Sequence, residues 1–598
     1  MRSLLTRRVR LHAHLSRYPF GGSVASVSST SAPKNGDAPL SGSKVLSPNA
    51  IQLTATEDSL FSFLEYIQTL YAPSTQLRVA GGWVRDKLRG AESEDIDIAL
   101  DNMMGAKFAR HITKFQRDRK LPPSSVGVVK ANSDKSKHLE VATVTIEGGT
   151  VDLVHLRAEE YTQDSRVPDV RFATPEDDAS RRDLTINALF YNLHTREVED
   201  FTGKGVQDLT AGVIRTPREP VQTFLDDPLR VLRALRFACE FGFTLDSALE
   251  RAVLEQREIV GAMRRKVSRE RIGIEVRKML SGKDPARAFG YLKQFDLLEL
   301  VFNDTAGKMG EGGDVEEVEG NGFKYPPREW TELVEKRASH YLNYLQRSRL
   351  TLAKCEISNV EATAAIFTPL FLQELPVIIP DDHSSLSPSA LRELNGVTEQ
   401  EIVESSLEFL DRREEIVAAL DFSEIVEMLK VHVKWPKPAG KRVALIIEAI
   451  ATYPGARQEL NGTADVQRAS AEHRVKRYMW MMQYYSVIAP AMTILTAARS
   501  FDCRNGQNQT AEEQEAMLKA HLDLAHAYAS SDNNEQVDNP SRCRRVDGKV
   551  VQTQLGPDAA QAIARALRVL QVWEKVHPTG SVEDELAFLD RLAPHLRC

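Results

Sequence analysis

The stretch "DIDIAL" at residues 95–100 constrains the fold most, because its strict alternation of polar and apolar residues is that of a β-strand. Ile96 and Ile98 would then enter a core, while Asp95 and Asp97 project together from the opposite face. Two convergent carboxylates suit a divalent cation such as Mg²⁺, and a pair of such ions can assist phosphoryl transfer. D-x-D also occurs by chance in surface strands, so its neighbours decide what the pair indicates.

The pattern of apolar residues changes once along the 598 residues, and this change predicts the domain organisation. A helical run at 51–72 precedes short β-like runs such as "LRVAGG", "HLEVATVTI" and "TVDLVHL", whereas from about Thr223 onward the spacing is helical. We therefore expect an α+β fold, with a mixed β-sheet in an N-terminal head and an all-α neck, body and tail. The expected boundaries are 46–215 for the head, 216–300 for the neck, 301–500 for the body with a loop insert at 307–322, and 501–598 for the tail.

The composition indicates in which cellular compartment the protein works and which kinds of partner it can bind. The net charge is −7, so a nucleic-acid partner would need a local basic surface. No stretch approaches the apolar length of a membrane span, and five single cysteines without a C-x-x-C pair indicate a reducing compartment. Residues 1–36 contain arginines and serines but no acid, which favours a disordered mitochondrial targeting segment over 1–45; a merely disordered tail is the alternative.

Three further motifs follow the carboxylate pair. "GGWVRD" provides Gly82, where backbone can approach a phosphate, and Arg85 as a charged donor. "ASRRDLTINALFYNL" places Arg182 and Asp183 before an apolar run that looks helical, so Asp183 could simply cap a helix. "TFLDDPLRVLRALRF" opens a helix at Asp227, with Asp227 expected as N-cap and Pro228 as the first helical residue.

The last motif offers a way to choose a nucleobase. Cytosine and adenine both present an amine donor beside a ring-nitrogen acceptor, whereas uracil and guanine present the reverse order. A carboxylate accepting from the amine and a guanidinium donating to the ring nitrogen would therefore select C and A. Asp227 and Arg230 have the right chemistry and helical spacing for such a pair. The alternative is an amphipathic helix with a solvated arginine face.

Taken in order, G-G-x-V-R-D, D-x-D, R-R-D-x-x-x-N-A, a glycine-containing turn and D-D-x-x-R resemble the class II CCA-adding tRNA nucleotidyltransferases of the eukaryotic type, in the DNA polymerase beta superfamily. The segment "VSRERIGIEVRKML" resembles the helical motif that follows in this family. The resemblance covers roughly residues 75–300. It implies addition of C, C and A to the 3′ end of tRNA from CTP and ATP, with Mg²⁺ as cofactor and pyrophosphate as product.

The resemblance also implies roles for individual residues. Asp95 and Asp97 would be catalytic and hold the metal, with Asp152 as a possible third carboxylate. Asp227 and Arg230 would form the template, with Asp226 in an orienting role. The other nucleotide contacts would be Gly82, Arg85, Arg182, Asp183 and Arg233.

A basic segment at 264–287 is the expected tRNA surface, although a solvated helix with internal ion pairs would look the same. Its candidate residues are Arg264, Arg265, Lys266, Arg269, Arg277 and Lys278. Two other functions stay open: a poly(A) polymerase of the same superfamily, and a non-catalytic RNA-binding protein on this scaffold. A monomer in the mitochondrial matrix is expected, without membrane association and with a further pool in cytoplasm and nucleus left open.

Overall fold

The computed structural model describes ten stretches of the chain, and the expected targeting segment and loop insert lie outside them. The described residues are 51–129, 141–146, 149–162, 165–302, 330–352, 358–372, 394–454, 466–506, 546–556 and 560–596.

In its described residues the head contains nine strands and five short or medium helices. Its strands are β1 (Leu77–Ala80), β2 (Ile96–Leu100), β3 (Ser125–Val129), β4 (Val141–Ile146), β5 (Gly149–His155), β6 (Arg157–Thr162), β7 (Ser165–Phe172), β8 (Phe190–Asn192) and β9 (Glu197–Glu199). Its helices are α1 (Ala55–Tyr71), α2 (Gly82–Leu88), α3 (Gly105–Asp118), α4 (Pro175–Ser180) and α5 (Gly205–Ala211).

Seven of these strands form one sheet, in the order β3-β4-β5-β2-β1-β8-β9. The pair β2–β5 is parallel and the other pairs are antiparallel, so the sheet is mixed as predicted. Strands β6 and β7 form a separate antiparallel pair. The parallel register places Asp97 directly opposite Asp152, so the two carboxylates lie on the same face of adjacent strands.

The D-x-D strand has the alternation that its sequence predicts. Ile96, Ile98 and Leu100 are buried, whereas Asp97 is exposed. Strand β2 begins at Ile96, so Asp95 lies one residue before the strand. Only Asp97 of the pair is therefore fixed by the ladder of hydrogen bonds.

The expectation of a helix after the R-R-D motif is wrong. Residues Thr185–Asn187 form one 3₁₀ turn, and Phe190–Asn192 then form β8, which pairs with β1. The apolar run is buried on all sides, from Leu184 to Leu193. When every residue of a short run is buried, its sequence shows no periodicity that distinguishes a helix from a strand. Here pairing with β1 makes residues 190–192 a strand.

The neck is helical apart from two short strands that pair in parallel, β10 (Val213–Ile214) and β11 (Thr244–Leu245). Its helices are α6 (Pro220–Asp226), α7 (Leu229–Phe241), α8 (Ser247–Glu255), α9 (Arg257–Lys266), α10 (Arg269–Leu280), α11 (Pro285–Gln294) and α12 (Leu298–Phe302).

The start of α7 differs by one residue from the prediction. Pro228 is the N-cap, with φ −62° and ψ −20°, and Asp227 is extended at φ −134° and ψ 99°. The Asp227 carboxylate still accepts from the Leu229 N–H at 3.2 Å, much as an N-cap side chain would. Asp227 therefore sits at the corner between α6 and α7, and its side chain is not part of either helix surface.

The body and tail are helical, as predicted. Their helices are α13 (Glu332–Leu352), α14 (Asn359–Phe371), α15 (Glu399–Leu420), α16 (Ser423–His432), α17 (Lys437–Ala451), α18 (Val466–Tyr484), α19 (Ile488–Gly506), α20 (Gly548–Leu555), α21 (Ala560–Val576) and α22 (Val582–Leu596). None of the helices in the described stretches is both long and apolar enough to cross a membrane.

Helix α10 is held against the body by a backbone contact at Gly273. A Cβ atom at this position would lie 1.9 Å from the carbonyl oxygen of Val433, so only glycine fits. Arg277, one turn further along, donates to the carbonyls of Val433 and Lys434 at 3.1 and 3.2 Å. These contacts fix the position of α10, which also faces the head.

Candidate functional site

A cleft of about 490 Å³ opens between the sheet of the head and helices α7 and α10 of the neck. Its wall is dominated by charged side chains from both parts of the molecule. The carboxylates are Asp97, Asp178, Asp183, Asp227 and Glu275. The guanidinium groups are Arg157, Arg181, Arg182, Arg230, Arg233 and Arg271.

Asp97 is the carboxylate of the cleft with the least compensated charge. Desolvation by the surrounding protein, together with the charges of Asp152 and Asp95, raises its pKa to about 6 even though its side chain reaches solvent in the cleft. Arg182 and Arg157 oppose this rise without cancelling it. Asp152 accepts a hydrogen bond from the Thr143 hydroxyl at 2.6 Å, which leaves further oxygen lone pairs available.

This concentration of negative charge fits a divalent cation. Among the residues that the structure describes, no three His, Cys, Asp or Glu side chains are grouped closely enough to hold an ion unaided. Mg²⁺ is commonly bound by one or two carboxylates together with water and substrate phosphates, which is the chemistry that Asp95, Asp97 and Asp152 offer. The residues present therefore fit a cation that binds with its substrate.

Asp183 is held in one orientation by groups from the head and the neck. Its Oδ1 accepts from the Leu184 N–H at 2.8 Å and from Asn187 Nδ2 at 3.1 Å, and its Oδ2 accepts from Arg233 Nε at 2.7 Å. Burial opposes ionisation of Asp183, but Arg233 and Asn187 outweigh it and lower the pKa to about 2. Asp183 is thus a fixed anion that joins the R-R-D motif to α7.

Arg182 is fixed by Asp178 and by a glycine. Its Nε and Nη2 donate to Asp178 Oδ2 at 3.0 and 2.9 Å, and its Nη1 donates to the Asn187 carbonyl at 3.1 Å. Gly81 has φ +74°, and a Cβ there would lie 2.8 Å from Arg182 Nη1. Glycine is therefore required at Gly81, where φ is positive and the Arg182 side chain packs against the backbone.

Asp227 and Arg230 both line the cleft and are held by different partners. Asp227 Oδ2 accepts from Arg271 Nη2 at 2.8 Å, and its Oδ1 lies 3.4 Å from Arg271 Nη1. Arg230 is buried and its Nη2 donates to the Arg181 carbonyl at 2.7 Å. The Asp227 carboxylate and the Arg230 guanidinium, which form the predicted template, therefore both lie in the wall of the cleft.

Other predicted nucleotide contacts lie behind the cleft. Arg85 is buried, donates to Asn187 Oδ1 at 2.6 Å and to Asp86, and lies over the rings of Phe237 and Phe241. Gly82 is the first residue of α2. Asp226 accepts from Gln222 Nε2 at 2.8 Å, and burial raises its pKa. The structure does not bring these three residues to the wall of the cleft.

The predicted RNA-binding residues divide into two groups. Lys266, Arg269 and Arg277 each donate to backbone carbonyls of neighbouring elements, those of Leu225, Leu300 and Val433 among them. Arg264, Arg265 and Lys278 are exposed, and Arg265 is paired with Glu258. Half of the expected basic surface therefore serves the packing of the neck.

Sequence reasoning missed several residues of the cleft. Arg271 and Glu275 were expected only as parts of a basic helix, although their spacing of four residues puts both on one face. Asp178 precedes Arg181 and Arg182 by three and four residues, the helical spacing of an ion pair, and this signal was available. Arg157 has no local signal, because only the path of β6 brings it to the cleft.

Two family models match this part of the chain. Residues 77–215 match a model described as "Poly A polymerase head domain", and residues 242–309 match "Probable RNA and SrmB- binding site of polymerase A". The chain is similar to these families over the head and part of the neck. Residues 77–215 contain the whole seven-stranded sheet and the R-R-D motif, so the match lies where the motifs predicted a nucleotidyltransferase.

Two curated relatives each match less than half of the chain. The mitochondrial CCA tRNA nucleotidyltransferase of Saccharomyces cerevisiae is 45% identical over 277 residues, which are 44% of this chain and 50% of that protein. The tRNA nucleotidyltransferase cca2 of Schizosaccharomyces pombe is 42% identical over 235 residues, 38% of this chain and 48% of that protein. The matched region thus spans about half the length of either relative.

The solved CCA-adding enzyme of Bacillus stearothermophilus in complex with CTP overlaps 89% of this chain and 97% of its own. The TM-score is 0.46 at 18% identity, and an overlap of this degree carries no functional argument.

Proposed function

We propose that this protein adds C, C and A to the 3′ end of tRNA, one nucleotide at a time, from CTP and ATP. One observation carries the proposal: a single cleft collects Asp97, the Arg182–Asp183 motif, and the Asp227 and Arg230 pair. The similarity to two tRNA nucleotidyltransferases, over 44% and 38% of the chain, supports it.

In the proposed reaction the terminal hydroxyl oxygen of the RNA bonds to the α-phosphorus of the nucleotide. The bond between the α- and β-phosphates breaks, and pyrophosphate leaves. Asp95 and Asp97 would hold Mg²⁺, which activates a hydroxyl and offsets phosphate charge when bound. Transfer then depends mainly on positioning and on fixed charges.

The arginines of the cleft are the cations that a triphosphate would meet. Arg157, Arg181 and Arg182 lie on the head side of the cleft, where the sheet carries Asp97. Arg85 would act indirectly, because it holds Asn187, which in turn holds Asp183. The sequence predicted that Arg85 contacts the nucleotide. In this proposal Arg85 instead positions Asn187 and, through it, Asp183.

Base selection would fall to the neck. Asp227 would accept from the exocyclic amine of cytosine or adenine, and Arg230 would donate to the adjacent ring nitrogen. Uracil and guanine would set a carbonyl oxygen against the carboxylate, and unpaired polar groups in a closed site make such rejection strong. Arg233, fixed by Asp183, would stand beside this pair as a further contact.

The partners and compartment follow from the same proposal. Arg264, Arg265 and Lys278 are the exposed cations of the neck that would face the tRNA backbone. Residues 1–45 would direct the chain to the mitochondrial matrix. The domain boundaries expected from the sequence would separate catalysis in the head and neck from RNA contacts in the body and tail.

Primer extension tests the proposal. Purified protein and Mg²⁺ are incubated with tRNA ending before, within or after CCA, and each nucleoside triphosphate is supplied singly and together. The proposal predicts two C and one A, then arrest, with UTP and GTP refused. Long A tails from ATP alone would instead identify a poly(A) polymerase, and RNA binding without incorporation would identify a non-catalytic protein.

A further inference from the structure

Helix α10 faces the base-selecting side of the cleft with two charged residues one turn apart. Arg271 contacts Asp227, and Glu275 contacts Arg233 at 3.6 Å and Arg236 at 2.6 Å. Glu275 is buried, and the Arg271 side chain is about one third exposed, at 32%. Asp227, at the corner before α7, and Arg233 and Arg236 of α7 are therefore each paired with an opposite charge on α10.

Asp227 and Arg230 are three residues apart at the start of α7, and their opposite charges attract each other. If Asp227 closed onto Arg230, each would satisfy the other and neither would be available to a base. In the structure Asp227 is bound by Arg271 and by the Leu229 amide, while Arg230 donates to the Arg181 carbonyl. The two groups are held by separate partners.

The hydrogen-bonding capacity of Asp227 sharpens this point. A carboxylate has about four acceptor positions. On Oδ1, the Leu229 N–H and Arg271 Nη1 lie at 3.2 and 3.4 Å, and on Oδ2, Arg271 Nη2 lies at 2.8 Å. One acceptor position remains, on Oδ2, which is enough for a single amine hydrogen.

We propose that Arg271 is a specificity-determining residue, which fixes the Asp227 carboxylate so that Oδ2 accepts from the exocyclic amine of the incoming CTP or ATP. This inference rests on the proposed function and deepens it. Arg271 acts through Asp227, so it is a positioning residue and needs no contact with the nucleotide. Lysine could keep the charge but cannot supply two N–H groups in a fixed plane.

The test compares wild type with Arg271→Ala and Arg271→Lys, and uses Glu270→Gln as the control. Glu270 precedes Arg271 on α10, is exposed, and does not line the cleft. For each protein, kcat and KM are measured for CTP and UTP on tRNA lacking CCA, together with KM for the tRNA and the melting temperature.

Arg271→Ala is expected to lower the preference for CTP over UTP at least about tenfold, mainly by raising KM for CTP. Arg271→Lys should recover part of the preference, and the KM for tRNA and the melting temperature should stay near wild type. Unchanged preference in Arg271→Ala would overturn the inference. So would a loss that follows the melting temperature or extends to tRNA binding, since a structural role alone would produce it.

The two proposals fail in distinguishable ways. If wild type discriminates and Arg271→Ala discriminates equally well, only the role of Arg271 falls. If wild type incorporates neither CTP nor ATP, the proposed function falls and the role of Arg271 falls with it.

Discussion

Individual carboxylates of the cleft differ in charge state because their neighbours differ. Desolvation and the charges of Asp152 and Asp95 raise the pKa of Asp97 to about 6. Burial also acts on Asp178 and Asp183, but paired arginines outweigh it and lower both pKa values to about 2. The same residue type is thus the proposed cation ligand in one place and a fixed structural anion in two others.

Asp97→Asn should abolish nucleotide transfer while leaving the fold intact. Replacing an outer partner of a metal ligand typically costs 10- to 100-fold, so losing a ligand itself is expected to cost more than about 100-fold. Primer extension measures the loss, and circular dichroism checks the fold. Asp118→Asn is the control, because Asp118 is an exposed residue at the end of α3. If Asp97→Asn kept most of the activity, Asp97 would not be a metal ligand in the reaction.

Asp178→Asn should lower the free energy of unfolding by about 2–3 kcal/mol at pH 7, since a buried carboxylate that holds two arginines is lost. Asp178 has its pKa lowered from 3.8 to about 2, so its contribution is present above pH 4 and is lost as the pH falls toward 2. The difference in the free energy of unfolding between wild type and Asp178→Asn should therefore be about 1 kcal/mol smaller at pH 3 than at pH 7.

Urea denaturation at pH 7, 4 and 3 provides the measurement, with Asp118→Asn again as control. If the difference in the free energy of unfolding between wild type and Asp178→Asn stays constant or grows on acidification, Asp178 is not an ion-paired anion in the folded protein.

Residue-level prediction from sequence located cleft residues where the signal was local, and their roles stay predictions. Asp97, Asp183 and Arg230 were found from short motifs, and all three line the cleft. Arg85 shows the limit: its motif marks it as important, but only the folded chain shows that Asn187 and two phenylalanines surround it. A motif identifies a residue without saying which way its side chain points.

At the scale of elements, α10 connects the cleft to the body. Its Gly273 touches the Val433 carbonyl, and two turns of the same helix carry Arg271 and Glu275. The sequence predicted the helix from its periodicity but assigned it to RNA binding. The buried role of its charges depends on α7 and α16, which are distant in sequence, and no local pattern could reveal it.

Gly273→Ala should destabilise the protein by about 1–3 kcal/mol and also weaken nucleotide selection. The added Cβ would lie 1.9 Å from the Val433 oxygen, so α10 must move away from the body and carry Arg271 with it. Gly290→Ala is the matched control: Gly290 lies in α11, nothing lies within 4 Å of an added Cβ, and alanine favours a helix by up to about 1 kcal/mol. Urea denaturation and primer extension measure both effects.

Equal stability of wild type and Gly273→Ala would contradict the close contact between α10 and the body. A destabilised variant with unchanged nucleotide choice would show that the contact does not position Arg271.

At the scale of the whole molecule, the sequence predicted the division into a mixed-sheet head and a helical remainder. The change from period-2 to period-3.6 patterning was enough for this, because each element buries one face. The cleft could not be predicted in the same way. It forms where the sheet and two neck helices meet, and the arginine of β6 reaches it only through the chain path.

The N-terminal segment gives a prediction for the whole protein. Residues 1–45 fused to a fluorescent reporter should carry the reporter into mitochondria, because the segment is basic, serine-rich and free of acid over its first 36 residues. Replacing Arg2, Arg7, Arg8, Arg10 and Arg17 with glutamine should leave the reporter in the cytosol. Equal import of both fusions would contradict the role of the charge.

The central claim is that protein side chains, without a nucleic-acid template, choose the nucleotide. The most direct measurement is sequencing of RNA 3′ ends after reaction of tRNA lacking CCA with all four nucleoside triphosphates at equal concentration, for wild type and Asp227→Ala. We predict CCA ends followed by arrest in wild type, and ends of mixed base composition in Asp227→Ala at comparable stability. CCA ends from both proteins would contradict the claim.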